Sequence, residues 1–216
     1  MSFSPGAPTL VYDCEMKNPI HDEYLAKRHP KIQKWARDWR DFENMGISVI
    51  AAYSFQSDRY FIFGEDDPHL PGFDLFQEVV GNHENIVAFS GAYFDDLLCE
   101  ANGIKIKTTY DLVVAIRRAA GLPDTWAASE KPRGWSYKLE YMARLNLGYG
   151  KMASGKDAPI DWFYGRKAMV RAYCLHDVKL TKELYQKPSL IDPNTGDVLY
   201  LPTFVEFAKI PIATEE

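Results

Sequence analysis

Asp13 and Glu15 stand two residues apart in Thr9-Leu10-Val11-Tyr12-Asp13-Cys14-Glu15-Met16, a run of apolar and β-favouring residues that reads as a strand. Residues i and i+2 of a strand point to one face, so the two carboxylates project side by side. Like charges that close raise each other's proton affinity unless a cation sits between them. Hard oxygen donors of this kind suit Mg²⁺ or Mn²⁺. Two solvated acids on an edge strand would fit the same pair, so further ligands must come from elsewhere in the chain.

Three further acids are placed where a metal site could use them. Asp95 and its neighbour Asp96 open a helix that follows a strand ending at Ser90. Singly, each is an ordinary helix-start acid, favoured there by the helix dipole. Asp177 lies deep in the last helix, in Tyr173-Cys174-Leu175-His176-Asp177. Asp is a weak helix former in a helix interior, so its position asks for a reason. Tyr173 and Asp177 are i and i+4 and share a face. Phe94, Trp135, Tyr137 and Trp162 could stack on bases and could equally pack the core. Lys151, Lys156, Arg166 and Arg171 flank the last helix and could meet phosphates or remain solvated. Cys14 and Cys174 suit small apolar gaps.

The elements that must position these residues follow from periodicity. After the first strand, residues 17–44 break the alternation, with a short basic helix starting near Asp22-Glu23. Either a solvated helix covering a sheet edge or a substrate-gripping arm fits this segment. Residues 46–53 and 59–63 read as a hairpin beside the first strand. A helix is expected from Phe73 to Val80 with Gly81 as its stop, a buried strand over 84–90, and a helix over 93–103. Residues 105–110 alternate as a strand, and Asp111 caps a helix over 112–120. Ser136 reads as the N-cap of a helix running to about Asn146. A loop is expected over 147–159, a long helix over about 164–186, and a small hairpin near 190–201. Right-handed crossovers place the later strands on the far side of the first one. The expected fold is therefore an α/β mixed sheet of three antiparallel meander strands plus parallel, helix-connected strands, with helices on both faces. One domain of residues 1–216 is expected, with a core over about 9–187, the 17–44 insertion and a 188–216 extension.

The composition is that of an ordinary globular chain: 216 residues, 46% hydrophobic and 25% charged. A net charge of −5 gives no global basic field and argues against a protein that coats long duplexes. It leaves room for an enzyme that grips a strand end through a local groove and divalent cations. The three cysteines have no metal-type spacing and are odd in number, so a reduced, cytoplasmic chain is expected. The first six residues show no charged region followed by an apolar run, so no signal peptide is read. No apolar run approaches the length of a membrane span.

The ordered set resembles a known family. Asp-x-Glu on the first strand, Asp at the start of a helix after a later strand, and Tyr-x-x-x-Asp on a C-terminal helix are similar to the DEDDy 3′–5′ exonucleases. These belong to the DnaQ-like, ribonuclease-H-like superfamily, and the likeness runs from Leu10 to about Tyr185. Tyr12-Asp13-Cys14-Glu15 and Asp41-Phe42-Glu43-Asn44-Met45-Gly46 also look like exonuclease domains of phage and bacterial origin. The resemblance implies a ribonuclease-H-like fold and two ions, Mg²⁺ or Mn²⁺, held by Asp13, Glu15, Asp95 and Asp177. It implies Tyr173 as the residue that orients the attacking water. The sister subfamily has a His five residues before its last Asp, where this chain has Ala172. Substrate contacts are expected from Cys14, Met16, Phe94 and Ser136. The implied reaction removes nucleoside 5′-monophosphates from 3′ ends of single-stranded DNA or RNA. A catalytically silent binding domain and a structure-selective endonuclease are the other two readings of the same fold. Two departures concern substrate contacts: Ser90-Gly91-Ala92 stands where the family often has an Asn, and the 17–44 insertion is long.

Overall fold

The computed structural model describes residues 7–125, 137–152 and 155–213. Its elements run β1 (Thr9–Met16), α1 (Glu23–Arg28), α2 (Phe42–Met45), β2 (Ile47–Ser54), β3 (Arg59–Phe63) and α3 (Phe73–Gly81). Then follow β4 (Asn85–Ala88), a 3₁₀ turn (Gly91–Tyr93), α4 (Asp95–Ala101), β5 (Tyr110–Asp111) and α5 (Leu112–Ala119). The chain continues through α6 (Leu139–Leu147), α7 (Ala158–Phe163), α8 (Lys167–Tyr185), β6 (Leu190–Ile191), β7 (Val198–Leu199) and α9 (Phe204–Ala208).

The main sheet has the order β3-β2-β1-β4-β5, so β1 is central as its position in the sequence predicts. β2 is antiparallel to both β1 and β3, while β4 is parallel to β1 and β5 parallel to β4. This order and these directions are those of the ribonuclease-H-like fold. The pleat of β1 divides its side chains between two cores. Val11 packs with Val49, Ala51 and Val87 against α5, α6 and α8. Leu10, Tyr12 and Cys14 pack on the other face with Phe76 of α3 and Leu98 of α4. Asp13 and Glu15 have the parity of Val11 and so belong to the α8 side.

The parallel pairing of β1 with β4 covers only Thr9–Val11 against Asn85–Val87, whereas β2 follows β1 to Met16. Beyond Val11 the sheet is open on one side, at the carboxyl end where open α/β sheets place their sites. The turn after β4 fills this opening. Ser90 takes a left-handed backbone (φ 68°), and buried Asp111 accepts bonds from the Ser90 and Ala92 N–H groups at 3.0 and 3.1 Å. Asp111 also caps α5 through the N–H groups of Val113 and Val114, the cap predicted from sequence.

Several boundaries differ from expectation for local reasons. Only Tyr110–Asp111 of the expected 105–110 strand joins the sheet. Asp96 takes the Thr108 N–H at 2.8 Å, which holds the preceding residues off β4. The last helix begins at Lys167, because Gly165 (φ 78°) separates it from α7. α7 itself starts at the end of the expected 147–159 loop and runs on to Phe163, with Pro in its first turn. α6 starts at Leu139 with Lys138 at its N-cap; Ser136 lies outside the described residues. The extension carries α9, which was not expected. Its Thr203–Glu206 capping box is a legible start signal, and Phe207 buries against Tyr110 with ring centroids 4.6 Å apart. The 17–44 insertion is pinned by backbone bonds, including Asn18 N–H to Met45 O at 2.8 Å and His21 N–H to Ala36 O at 2.7 Å.

Gly91 sits at the tightest point of the turn: a Cβ there would lie 2.4 Å from Ala88 Cβ and 2.7 Å from Thr108 Oγ1. Ala88 is fixed in β4 and Thr108 is held by two bonds to Asp96, so neither neighbour can retreat. Gly91→Ala should therefore cost about 1–3 kcal/mol and lower the melting temperature by about 2–10 °C. An unchanged melting curve would show that the turn is looser than this packing.

Candidate metal centre

Asp13, Glu15 and Asp177 offer carboxylate oxygens that all lie within 4.8 Å of one another. β1 supplies the first two from adjacent same-face positions. α8 supplies the third from its buried stripe of Val170, Cys174, Asp177, Val178 and Thr181. That burial answers the question its helix-interior position raises. α8 is fastened to β1 at this level, where the Cys174 thiol donates to the Asp13 carbonyl at 3.3 Å.

Asp95 reaches the same place from the opposite face. It stands at the start of α4, and its Oδ1 accepts from the Cys14 N–H at 3.2 Å and the Cys14 thiol at 3.1 Å. The β1 backbone beyond its pairing with β4 is thus met by a carboxylate. Asp96 does different work. It accepts from the Tyr12 hydroxyl and from both the N–H and the hydroxyl of Thr108. The pair that sequence leaves ambiguous divides into Asp95 beside the cluster and Asp96 as an anchor.

Burial and mutual repulsion hold this cluster's protons. Burial, then the Asp177 charge, pushes Glu15 up to about 8 despite the opposing charge of Lys151. Burial raises Asp13 well above the carboxylate range, with Asp95, Asp177 and Glu15 adding to it. Asp95 rises through burial to about 7, against the two bonds from Cys14. Asp177 is also raised by burial, against its ion pair with Lys151. Such a set of hard oxygens, with protons to lose, could hold a metal ion.

A lysine sits among these carboxylates. Lys151 Nζ pairs with Asp177 Oδ2. Burial alone would lower the Lys151 ammonium, but Asp177 and Asp13 reverse this and hold it above its usual value. The segment is clamped. Glu140 of α6 accepts from the Lys151 N–H at 2.5 Å, and His176 Nε2 donates to the Gly150 carbonyl at 2.9 Å. Gly150 permits this approach, because a Cβ there would lie 2.6 Å from Glu140 Oε2. Gly148-Tyr149-Gly150 signals a loop in the sequence, but no spacing says which acid the next lysine meets.

The four acids line a cleft of about 530 Å³, together with Cys14, Met16, Trp39, Phe94, Lys151 and Lys156. Cys14 and Met16 are nearly buried, and the Cys14 thiol is engaged by Asp95. Phe94 is half-buried at the wall, and Ser136 lies outside the described residues. Tyr173 is half-buried one turn before Asp177; it is not among the cleft-lining residues, and its charged neighbours are Asp161, Arg166 and Asp157. Of the expected stacking residues, Tyr137 and Trp162 are buried, and Trp135 is outside the described residues. Arg166 pairs with Asp161 and Arg171 with Asp67. Sequence reasoning missed Trp39 as a cleft residue and Lys151 as part of the cluster.

No family model matches the chain, and no curated protein does. Among solved structures, the chain is similar to the family B DNA polymerase from the hyperthermophilic archaeon Pyrobaculum calidifontis, at 15% identity and a TM-score of 0.48. The likeness covers 85% of this chain and 25% of that polymerase, so the chain spans a quarter of its length. The fold assignment rests on the strand order and directions given above. Among the described residues, no helix is long and apolar enough to cross a membrane.

The raised carboxylates give a signed pH dependence. Between the ordinary carboxylate range and about pH 8, the native site binds more protons than the unfolded chain. Its contribution to stability therefore falls as pH rises through that window. Melting curves from pH 5 to 8.5 in EDTA should show this loss, and saturating Mn²⁺ should remove it. At a hundredfold excess over its dissociation constant, Mn²⁺ should add about 2.7 kcal/mol, or about 5–10 °C. Asp177→Asn should lose most of that gain. A metal-dependent shift of equal size in Asp177→Asn would place the ion elsewhere.

Proposed function

We propose that this chain is a metal-dependent 3′–5′ exonuclease acting on the 3′ ends of single-stranded nucleic acid. The observation that carries this is the meeting of Asp13, Glu15 and Asp177, with Asp95 against Cys14, at the open end of the central strand. The order of these acids along the chain, which resembles the DEDDy exonucleases, supports it. A cleft of about 530 Å³ falls within the range of ligand pockets, about 300–1,000 Å³.

Asp13, Glu15, Asp95 and Asp177 would hold two divalent ions, Mg²⁺ or Mn²⁺. When bound, such ions lower the pKa of a water and offset charge on the phosphate and the leaving oxygen. The residues then have separate tasks. The carboxylates would hold the ions, whose positive charge would attract the phosphate of the strand end. Lys151 sits at the cleft wall, where its ammonium can turn from Asp177 to a phosphate oxygen once the acids have other cations. The resemblance to the DEDDy exonucleases gives Tyr173, which lies one turn ahead of Asp177 on α8 and outside the cleft lining, the task of orienting the water; a hydroxyl can do so without competing as a strong ligand. In the reaction a water oxygen bonds to phosphorus, the bond from phosphorus to the 3′ oxygen breaks, and a proton passes to that oxygen. The products are a nucleoside 5′-monophosphate and a strand shortened by one nucleotide.

Single strands labelled at the 3′ or the 5′ end, incubated with Mg²⁺ or Mn²⁺, test this reading. Stepwise loss of 3′ nucleotides is expected, and matched DNA and RNA strands assign the sugar. Internal cuts would assign an endonuclease instead, and binding without turnover a silent domain. Asp13→Ala and Asp177→Ala should each reduce turnover by about a thousandfold or more. Tyr173→Phe should reduce it by about 10- to 100-fold and leave the Mn²⁺-dependent melting shift intact. Near-native turnover in Asp13→Ala would remove the site assignment.

A further inference from the structure

The 17–44 insertion puts an exposed indole at the mouth of the metal cleft. We propose that Trp39 is a stacking platform for a nucleobase of the single strand whose 3′ end lies among the carboxylates. This deepens the exonuclease reading and rests on it for the identity of the ligand. Trp39 lines the same cleft as Asp13 and Glu15, yet 51% of its surface remains exposed. Its ring meets Phe94 edge to face, with centroids 6.1 Å apart, and the Lys156 ammonium lies 6.0 Å from its centroid. Phe94 immediately precedes Asp95, so the indole is referenced to a residue of the acid cluster.

The other insertion tryptophan shows the contrast. Trp35 donates its indole N–H to the Ile32 carbonyl at 2.9 Å and packs edge-on against His21. It builds the loop, whereas Trp39 is displayed by it. The display is fixed. Arg40 N–H bonds Asp38 Oδ1 at 2.8 Å. Asp41, nearly buried, accepts from the Arg37 N–H and the Asn44 side chain, each at 2.8 Å. Phe42 then packs on Phe94 from the insertion's far end, at 5.7 Å. A large apolar ring held this way loses little further freedom on binding, which is what a base-stacking surface needs. Every base has a π-face, so such a surface grips strands without choosing sequence. A cation beside the ring also suits the phosphates on either side of the base.

The test is equilibrium binding of a fluorescein-labelled 12-nucleotide single strand in Ca²⁺, read by anisotropy. It uses the full chain, Trp39→Ala and Trp39→Phe, after melting curves confirm that both variants fold. A matched strand with abasic residues at its last three 3′ positions is the control. Trp39→Ala should weaken binding of the intact strand by about 5- to 150-fold. The loss should fall below about twofold on the abasic strand, and Trp39→Phe should recover most of the affinity. An equal loss on both strands, no loss on either, or no binding of single strands by the unaltered chain would each overturn the proposal. The exonuclease reading fails separately. Hydrolysis of 3′ ends with Trp39→Ala binding unchanged removes the stacking role alone. Base-dependent binding through Trp39 without hydrolysis in Mg²⁺ or Mn²⁺ removes the exonuclease reading alone.

Discussion

Three carboxylates with oxygens inside 4.8 Å cannot all stay ionised in a sheltered cleft without a cation. Two unit charges about 5 Å apart repel by about 3 kcal/mol at an effective dielectric of about 20. The fold nevertheless brings Asp13, Glu15 and Asp177 together and adds Asp95 beside them. The structure answers with Lys151 and with carboxyl groups that hold their protons above the usual range. Either answer leaves a set of carboxylate oxygens that could hold a metal ion, and binding one would release the protons.

The surrounding architecture follows from keeping that cluster in place. β1 is central, so its Asp13 and Glu15 are fixed by antiparallel pairing with β2 along their whole stretch. β4 stops pairing at Val11, which lets Asp95 enter from the other face and take the Cys14 N–H. Asp111 holds the turn that makes this possible, and Asp96 ties α4 to Tyr12 and Thr108. On the α8 side, His176 and Glu140 hold Gly150 and Lys151, so the residue next to Asp177 in sequence serves the same site through the backbone of another segment.

Much of this was legible in the chain. The alternation of Thr9–Met16 gives a strand, and its two acids share a face by parity alone. Asp177 could be singled out because Asp rarely suits a helix interior, and its buried stripe supplies the reason. The meander followed from local periodicity, the central place of β1 from the right-handed crossovers, and the Asp111 cap from an N-cap residue just before a helical run. What failed to show depended on contacts distant in sequence. The 105–110 alternation looks like a strand, but Asp96 withdraws Thr108 from the ladder. Lys151 reads as a phosphate contact or a solvated lysine, and nothing in the sequence shows that α8 brings Asp177 to it. Trp35 and Trp39 are indistinguishable by type and spacing; only the folded insertion packs one edge-on against His21 and turns the other toward the cleft. Tyr173 is the reverse case, since its place on α8 is as predicted while its neighbours are the acids and arginine at 157–166.

The central claim is that the Asp13–Glu15–Asp177 cluster is a divalent-metal site in which Lys151 holds the place of cation. Crystals grown with Mn²⁺ and measured at the manganese absorption edge test it directly. The account predicts an anomalous peak ligated by oxygens of all three carboxylates, with the Lys151 ammonium moved off Asp177. Manganese bound elsewhere, or a Lys151–Asp177 pair that stays closed at saturating Mn²⁺, would contradict it.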